Sequence, residues 1–591
     1  MKLRKILALV MALALLCATF SACGNDSGSS TASGETTSSG TGSSEAEAGD
    51  TGASGDTNMD NYINMEPTSL NTLLATYAAD FNVLNSLYEN LLELDDNDVA
   101  QPAAAETYEV SEDGLTYTFH LRDDGVWSNG DPVTAQDFVF AWQKALDPVV
   151  ASDYAYMLFF IHNAEQYLNY QGYALDPAAW EEANPDKDPP AETNWEDVGV
   201  ETPDDSTIVV TLDDPLPYAP YLFTFKTMAP INQKFYEEVG ADVYGTDADK
   251  LCTNGAYTIE VWSHNSYVKV KKNPNFHDAD SITVEEITYN IVTNANSAVN
   301  SFLSGELDFV TMSTGELIDQ VKNAGYEVVN QDPSAAFYMY VNCNNEYMSN
   351  VNLRRALALS FDKQAMIDAV YKNGNLPMTS FTPPAVMGAN ESSFQAALQE
   401  ELGDLAPANG DVEAAKGYFE TALSELGITA ADLNGKLSID VSDDPTAQAQ
   451  AAFYQEQWRQ NLGIEVTINP MQATQVNSNR QNGNFVMSIS GWSPDYNDPM
   501  TFLDLWVTGG GNNDTNWSNA EYDQLIADAT VEKDENARQE MFYKCEQILF
   551  DEYPIIPCYW RADSYAINRD RVVSGERITA FQTKFFWAEL A

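Results

Sequence analysis

Histidine and cysteine are scarce in this chain of 591 residues. Its four histidines, His120, His162, His264 and His277, are scattered, and it has six cysteines. No pair has the His-x-x-x-His or Cys-x-x-Cys spacing with which neighbouring side chains ligate one zinc ion. The sequence therefore predicts no dedicated metal site, and it offers no motif for a cofactor.

Four of the cysteines, Cys252, Cys343, Cys545 and Cys558, lie well beyond the N-terminal region. One or two disulfides among them would be compatible with a location outside the cytoplasm, and free buried thiols are an equal alternative. Their spacing does not decide between the two.

Basic residues are also few: 29 Lys and Arg stand against 89 Asp and Glu, which gives a formal net charge of −60. Nucleic-acid binding is excluded on this ground, because phosphate contacts need clustered Lys and Arg. The charge favours solubility, and it biases long-range encounters toward neutral or cationic ligands.

Motifs of nucleotide and hydrolase chemistry are missing. The sequence has no Walker phosphate loop, no Gly-x-Gly-x-x-Gly after a strand and no Gly-x-Ser-x-Gly. The Gly-rich run at 509–513 is not followed by a helix-opening Lys-Ser/Thr, and it is interpreted as a flexible turn.

The only long apolar run lies at the N-terminus. Basic residues at positions 2, 4 and 5 precede an apolar stretch at 6–16, and Phe20, Ser21 and Ala22 lead to Cys23. This order resembles a bacterial lipoprotein signal in which Cys23 is lipidated, although Phe20 replaces the usual Leu. An ordinary secretory signal is the alternative. Residues 24–57 are small, polar or acidic, which predicts a disordered tether.

The remaining sequence mixes strand and helix patterns. Alternation predicts strands at 116–121 and 464–468. Thr134 with Asp137 predicts a capped helix, and Ser518 with Glu521 predicts another. Residues 353–371 are expected to form one helix.

The segment 491–503, GWSPDYNDPMTFL, joins a large aromatic residue and a carboxylate at the predicted end of a strand at 485–489. Pro494 and Pro499 stop regular strand pairing. Trp492 and Asp495 are suited to hold a small cationic ligand. On spacing alone, the alternative is that Trp492 is a core residue and Asp495 one acid among many.

Five ordered stretches resemble the periplasmic oligopeptide-binding proteins that serve ABC importers. They are LRDDGVWSNGDPVTA at 121–135, DFVFAW at 137–142, TNGAY at 253–257, LRRALALS at 353–360 and the segment 491–503. The resemblance covers the chain from about residue 60 onward and is specific for this family of solute-binding proteins.

The resemblance implies an α/β fold with two lobes, a hinge and an extra third domain, the type II periplasmic-binding-protein fold of the large cluster C type. Its expected organisation follows the chain: a lipoprotein signal at 1–23; a tether at 24–57; lobe I from 58–88, 200–335 and 562–591; an extra domain at 89–199; and lobe II at 336–561.

The family's peptide site can be carried over residue by residue. Asp495 would receive the peptide's α-ammonium group, while Gly491, Trp492 and Ser493 would pair with the peptide backbone as an added strand. Basic residues of enteric relatives are replaced at Ile489 and near Ala447. Arg480 is retained at a third family position and is the candidate for carboxylate recognition, with an exposed arginine as the alternative. The expected cleft aromatics are Tyr154, Tyr559 and Trp560.

The protein is expected to be anchored by lipid to the outer face of the cytoplasmic membrane, in a Gram-positive cell. It would act as a monomer without a cofactor, capture short peptides and deliver them to the permease subunits of an ABC transporter. Alternatives are a metal chelate, an oligosaccharide or a signalling peptide on the same scaffold. A hydrolase that uses Asp495 and Asp498 as its carboxylate pair is a further alternative.

Overall fold

A computed structural model of the chain describes residues 57–184 and 188–591. The predicted signal, the lipidation site Cys23 and nearly all of the predicted tether lie outside these ranges. Within them, no helix combines the length and apolar composition that crossing a membrane requires.

Lobe I is built on a four-stranded sheet. Its strands lie in the order Asn58–Ile63, Glu286–Ile291, Tyr267–Lys272 and Tyr257–Ser263. The first pair is parallel and the other pairs are antiparallel. A second sheet brings the C-terminal part of the chain back to this lobe. In it, Ser564–Ile567 lies between Phe309–Met312 and Val329–Asn330.

The extra domain contains an antiparallel sheet in the order Ala105–Val110, Thr116–Leu121, Thr207–Thr211 and Val200–Asp204. The strand predicted at 116–121 is confirmed. The predicted boundary between 199 and 200 would divide this sheet, because both strands at 200–211 pair within it. We therefore propose that the extra domain ends near Leu212, where Leu212 N still donates to Leu115 O at 2.8 Å.

The predicted capping box at Thr134 is confirmed. The side chain of Asp137 accepts from both the backbone nitrogen and the hydroxyl of Thr134, at 2.9 and 3.1 Å, and the helix spans Ala135–Ala145. The indole of Trp127 donates to the same carboxylate oxygen at 3.1 Å. One buried acid thus ties the helix start to the loop before it.

Lobe II holds a six-stranded mixed sheet. Its order is Leu376–Pro377, Ile555–Arg561, Ala335–Val341, Met487–Trp492, Ser438–Ser442 and Thr467–Met471. The strand predicted at 464–468 begins only at Thr467. Ile464 and Val466 are instead buried core residues of the connection that follows the left-handed cap Gly463.

The chain passes between the lobes twice, side by side. Val329–Asn330 and Ser564–Ile567 pair in lobe I, whereas the strands that adjoin them in sequence, Ala335–Val341 and Ile555–Arg561, pair in lobe II. Gln331 N donates to Asp563 O at 2.9 Å between the crossings. This pair of short crossings has the form of a hinge.

The remaining elements cover these sheets. Short strand pairs are Leu92–Leu94 with Ala100–Pro102, Val572–Ser574 with Glu589–Leu590, and Arg577–Ile578 with Thr583–Lys584. The other α-helices are Ala78–Leu87, Ala164–Leu175, Pro177–Ala183, Ala219–Leu222, Gln233–Val239, Ala295–Ser304, Gly315–Asn323, Val351–Leu359, Lys363–Met366, Phe394–Leu402, Val412–Leu426, Pro445–Leu462, Ala473–Gln481, Met500–Leu503, Ala520–Val531 and Glu535–Glu552.

Two predicted helix boundaries are wrong. The single helix expected at 353–371 is interrupted after Leu359, because Asp362 starts a new helix by accepting from Ala365 N at 2.8 Å. The cap expected at Ser518 falls on Asn519, which accepts from Glu521 N and Tyr522 N at 3.0 and 3.1 Å.

The four cysteines in the described part of the chain are all free thiols, and no disulfide joins them. Cys252, Cys545 and Cys558 are buried, and Cys343 is half-buried. Burial raises the pKa of the Cys558 thiol to about 12.

A buried acid joins the helix Glu535–Glu552 to the segment after Leu376–Pro377. The carboxylate of Glu546, which has no exposed surface, accepts from Phe381 N at 2.6 Å and from Thr382 N at 2.8 Å. These two backbone donors are buried, so they depend on this side chain for their hydrogen bonds.

Replacing Glu546 by Ala should lower the free energy of unfolding by about 2–4 kcal/mol, because two buried N–H groups lose their acceptor. Urea denaturation checks this, and the amides of Phe381 and Thr382 should exchange faster with solvent. Glu540→Ala, an exposed acid of the same helix, should change stability by no more than about 0.5 kcal/mol. Equal effects of the two substitutions would contradict this account.

Candidate ligand-binding site

The segment 491–503 starts at the end of a central strand of lobe II. Met487–Trp492 runs antiparallel to Ala335–Val341, with Gly491 opposite Phe337 and Trp492 opposite Ala336. A Cβ atom at Gly491 would lie 2.9 Å from both the carbonyl oxygen of Ala336 and the ring of Phe337. Glycine is therefore required here for the two strands to approach.

One edge of this strand has backbone without a strand partner. Ser438–Ser442 pairs with it only at Met487 and Ser488, opposite Ile439 and Asp440. Among the described strands, none continues this pairing along Ile489 to Trp492. An extended ligand backbone can be added along such an edge.

A buried ion pair fixes the turn after the strand. Arg538 donates to both carboxylate oxygens of Asp498, at 2.6 and 2.9 Å, and its Nε donates to Ala529 O at 2.8 Å. Asp498 also accepts from Met500 N at 2.9 Å. Because both oxygens of Asp498 are engaged, it is not placed to act with Asp495 as a hydrolytic carboxylate pair.

The backbone of Asp495 is anchored, and part of its carboxylate remains available. Its backbone N donates to Thr501 Oγ1 at 3.1 Å, and its Oδ2 accepts from the hydroxyl of Tyr156, in the extra domain, at 3.2 Å. Burial raises the pKa of Asp495 to about 6, and the Tyr156 hydrogen bond opposes this rise. A ligand cation would remove this cost of burying the carboxylate.

Asp495 lines a cavity of about 330 Å³ that has lobe II on one side and, on the other, the extra domain together with the segment that follows it. Residues 156–222 form one wall of the cavity, and residues 492–530 form the other. The lining residues include Tyr156, Phe160, Asp213, Asp214, Tyr218, Trp492, Asp495, Tyr496 and Asp504. The indole Nε1 of Trp492 is buried and has no hydrogen-bond partner within the described residues, so a donor beside the cavity is left unsatisfied.

Aromatic contacts hold the two walls together. The rings of Tyr218 and Tyr496 stack with centroids 5.1 Å apart and an angle of 4° between their planes. The guanidinium of Arg538 lies 5.3 Å from the Tyr218 ring centroid. The ion pair that fixes the turn therefore also contacts the opposite wall.

Several predicted site residues lie outside this lining. Arg480 pairs with Asp514 at 2.8 Å and lies 4.5 Å from the ring centroid of Tyr340. Tyr154 packs on Phe225, with ring centroids 4.8 Å apart. The ligand contacts of both residues stay predictions, as do those of Gly491 and Ser493, which adjoin the cavity through Trp492.

The predicted cleft aromatics of lobe II are packed within the protein. Tyr559 stacks on Phe337 at 5.0 Å, and its hydroxyl donates to that of Tyr371 at 2.9 Å. The indole of Trp560 donates to Phe381 O at 3.2 Å. Both residues are 3% exposed, so a direct ligand contact would require them to move.

Sequence reasoning missed Tyr156, Tyr218, Tyr496 and Asp504. The last two stand within or next to the segment 491–503, so proximity to Asp495 was an available signal. Tyr156 and Tyr218 carried no such signal, because only the folded chain brings the extra domain and the segment that follows it to this place.

Comparison with known proteins decides the family. Residues 99–514 match the model of the bacterial extracellular solute-binding proteins, family 5 (middle region). The chain belongs to this family. Its members are substrate-binding transport proteins outside the cytoplasm, so the chain is a solute-binding protein and not an enzyme.

Individual relatives agree with this assignment. The chain is 32% identical over 510 residues to the oligopeptide-binding protein OppA of Bacillus subtilis, covering 85% of this chain and 87% of OppA. A solved Bacillus anthracis oligopeptide transporter substrate-binding domain is 30% identical with TM-score 0.72, covering 90% and 99% of the two chains. Listeria monocytogenes OppA bound to peptide is 29% identical with TM-score 0.72, covering 91% and 99%. These matches confirm the two-lobed α/β fold.

Tyr156→Phe should raise the pKa of Asp495 above about 6, because the hydroxyl donates to the charged form of the carboxylate. Carbon-13 NMR of labelled aspartate across a pH titration measures this shift. Tyr154→Phe is the matched control, since no hydrogen bond joins that tyrosine to Asp495 among the described residues. An Asp495 titration that Tyr156→Phe leaves unchanged would refute the assigned contact.

Proposed function

We propose that this protein captures short peptides in the cavity between lobe II and the wall formed by residues 156–222. The observation that carries the proposal is the half-buried Asp495, whose raised pKa and available oxygen suit an α-ammonium group. The adjoining strand edge at 489–492 supplies backbone groups that are the same for any peptide sequence.

The size of the cavity supports a short ligand. Its volume of about 330 Å³ lies at the lower end of the roughly 300–1,000 Å³ that small-molecule sites occupy. The peptide-bound Listeria relative has the same fold over nearly its whole length. A metal chelate, an oligosaccharide or a signalling peptide stays an alternative, and mass spectrometry of ligand retained through purification distinguishes them.

Asp495→Asn should weaken binding of a free tripeptide such as Ala-Ala-Ala about a hundredfold, because the peptide's ammonium loses its buried counter-charge. Calorimetry measures the affinity, and the N-acetylated peptide should bind wild-type protein equally poorly. Asp528→Asn removes the same charge from an exposed helix position and should leave affinity unchanged. Equal affinity for free and acetylated peptides would refute amine recognition.

The same proposal includes delivery to the permease subunits of an ABC transporter from a membrane-anchored position. The sequence before Cys23 and the polar stretch 24–57 support a lipid anchor on the outer face of the cytoplasmic membrane, in a Gram-positive cell. Two or more acyl chains would give a stable attachment, whereas one chain would not.

Cys23→Ala should release the protein from the membrane fraction into the medium or the soluble fraction, because the acceptor of the lipid is gone. Membrane fractionation and incorporation of labelled palmitate into the protein are the measurements. Cys17→Ala, which lies in the apolar part of the signal, should keep both the attachment and the label. Continued labelling of the Cys23→Ala protein would refute the assignment.

A further inference from the structure

The cavity has an unbalanced charge. Asp213, Asp214, Asp495 and Asp504 line it, and no Lys, Arg or His lines it among the residues that the structure describes. Asp213 is paired with His162 at 2.6 Å. The neighbouring Asp498 is neutralised by Arg538 and lies behind the lining. Asp214, Asp495 and Asp504 have no cationic partner within the described residues.

Asp504 follows directly after the segment 491–503 that carries Asp495. It follows the helix Met500–Leu503, whose residues are buried, and its own side chain is exposed to the cavity. No hydrogen bond or ion pair is described for its carboxylate. Desolvation by the atoms that surround it in the cavity, and then the charges of Asp495 and Asp498, raise the pKa of Asp504 to about 7. Two carboxylates thus face one small volume and oppose each other's ionisation.

The rest of the lining indicates what kind of cation fits. The rings of Tyr156, Tyr218, Trp492 and Tyr496 surround the acids, and aromatic faces attract ammonium and guanidinium groups. The unpartnered indole N–H of Trp492 calls for an acceptor. A peptide carbonyl supplies one, whereas a simple diamine or a metal ion does not.

We propose that Asp504 binds a second cation on the ligand, so that the cavity selects peptides with a basic side chain close to the α-ammonium. Asp495 holds the ammonium and Asp504 the side chain of the first or second residue. This selection rests on the proposed peptide function and goes beyond it, since family-type recognition of the amine alone would leave Asp504 unpaired.

A matched peptide series tests the selection by calorimetry. Lys-Ala-Ala should bind wild-type protein about tenfold more tightly than norleucine-Ala-Ala, which has a similar apolar chain without the charge. Asp504→Asn should abolish this preference, so that Lys-Ala-Ala and norleucine-Ala-Ala bind the variant with similar affinity. Asp528→Asn, which alters the net charge equally from an exposed position, should keep the preference.

The possible outcomes separate the two proposals. The role of Asp504 is overturned if wild-type protein binds Ala-Ala-Ala but does not prefer Lys-Ala-Ala over norleucine-Ala-Ala. It is also overturned if the Asp504→Asn variant retains this preference. Either result leaves peptide capture standing. Failure of every peptide to bind wild-type protein overturns the peptide function itself. Binding of 1,5-diaminopentane as tight as that of Lys-Ala-Ala overturns the choice of a peptide over a diamine.

The preference should also depend on pH. Asp504 must be ionised to hold the cation, so the ratio of Lys-Ala-Ala to norleucine-Ala-Ala affinity should be larger at pH 8 than at pH 5.5. Other groups that face the site are Asp213 with His162, Asp214, Asp495, Tyr156, Tyr218, Tyr496 and the Asp498–Arg538 pair. They are present in both measurements and largely cancel in the ratio. A ratio that is constant from pH 5.5 to 8 overturns the assignment.

Discussion

The ion pair between Asp498 and Arg538 is the constraint on which the segment 491–503 depends. Two hydrogen bonds of 2.6 and 2.9 Å hold the turn after Trp492 against the helix Glu535–Glu552. A buried pair of this kind is costly to break, because either partner alone would be a desolvated charge. It positions the backbone on both sides of Asp498, and both Asp495 and Asp504 line the cavity.

The acids of one short segment have different roles because their surroundings differ. Asp498 is neutralised inside the protein and is structural. Asp495 is partly satisfied by a tyrosine of another domain, and Asp504 faces the cavity without a described partner. Such separation of environments is how similar carboxyl groups acquire different affinities for protons and cations.

The sequence predicted the local features that depend on a few neighbouring residues. The strand at 116–121, the capping box at Thr134 and the location of Asp495 beyond a strand all follow from short patterns. What it missed depends on distant pairing. Strand 467–471 could not be located from alternation, since buried Ile464 and Val466 mimic a strand. The structural role of Asp498 became visible only with Arg538 beside it, and Tyr156 and Tyr218 joined the site only through tertiary contact.

The stacked rings of Tyr218 and Tyr496 bear on how one cleft accommodates different ligands. This contact joins the two walls through protein groups alone, so in the proposed capture of peptides the free energy that it contributes to closing the cleft is the same for every ligand. A bound molecule then needs to supply only the rest of the free energy that favours the closed state over the open state. Differences between the side chains of the ligands then alter the affinity, while the contribution of the Tyr218–Tyr496 contact stays constant. Ligands that make few contacts of their own can still be retained.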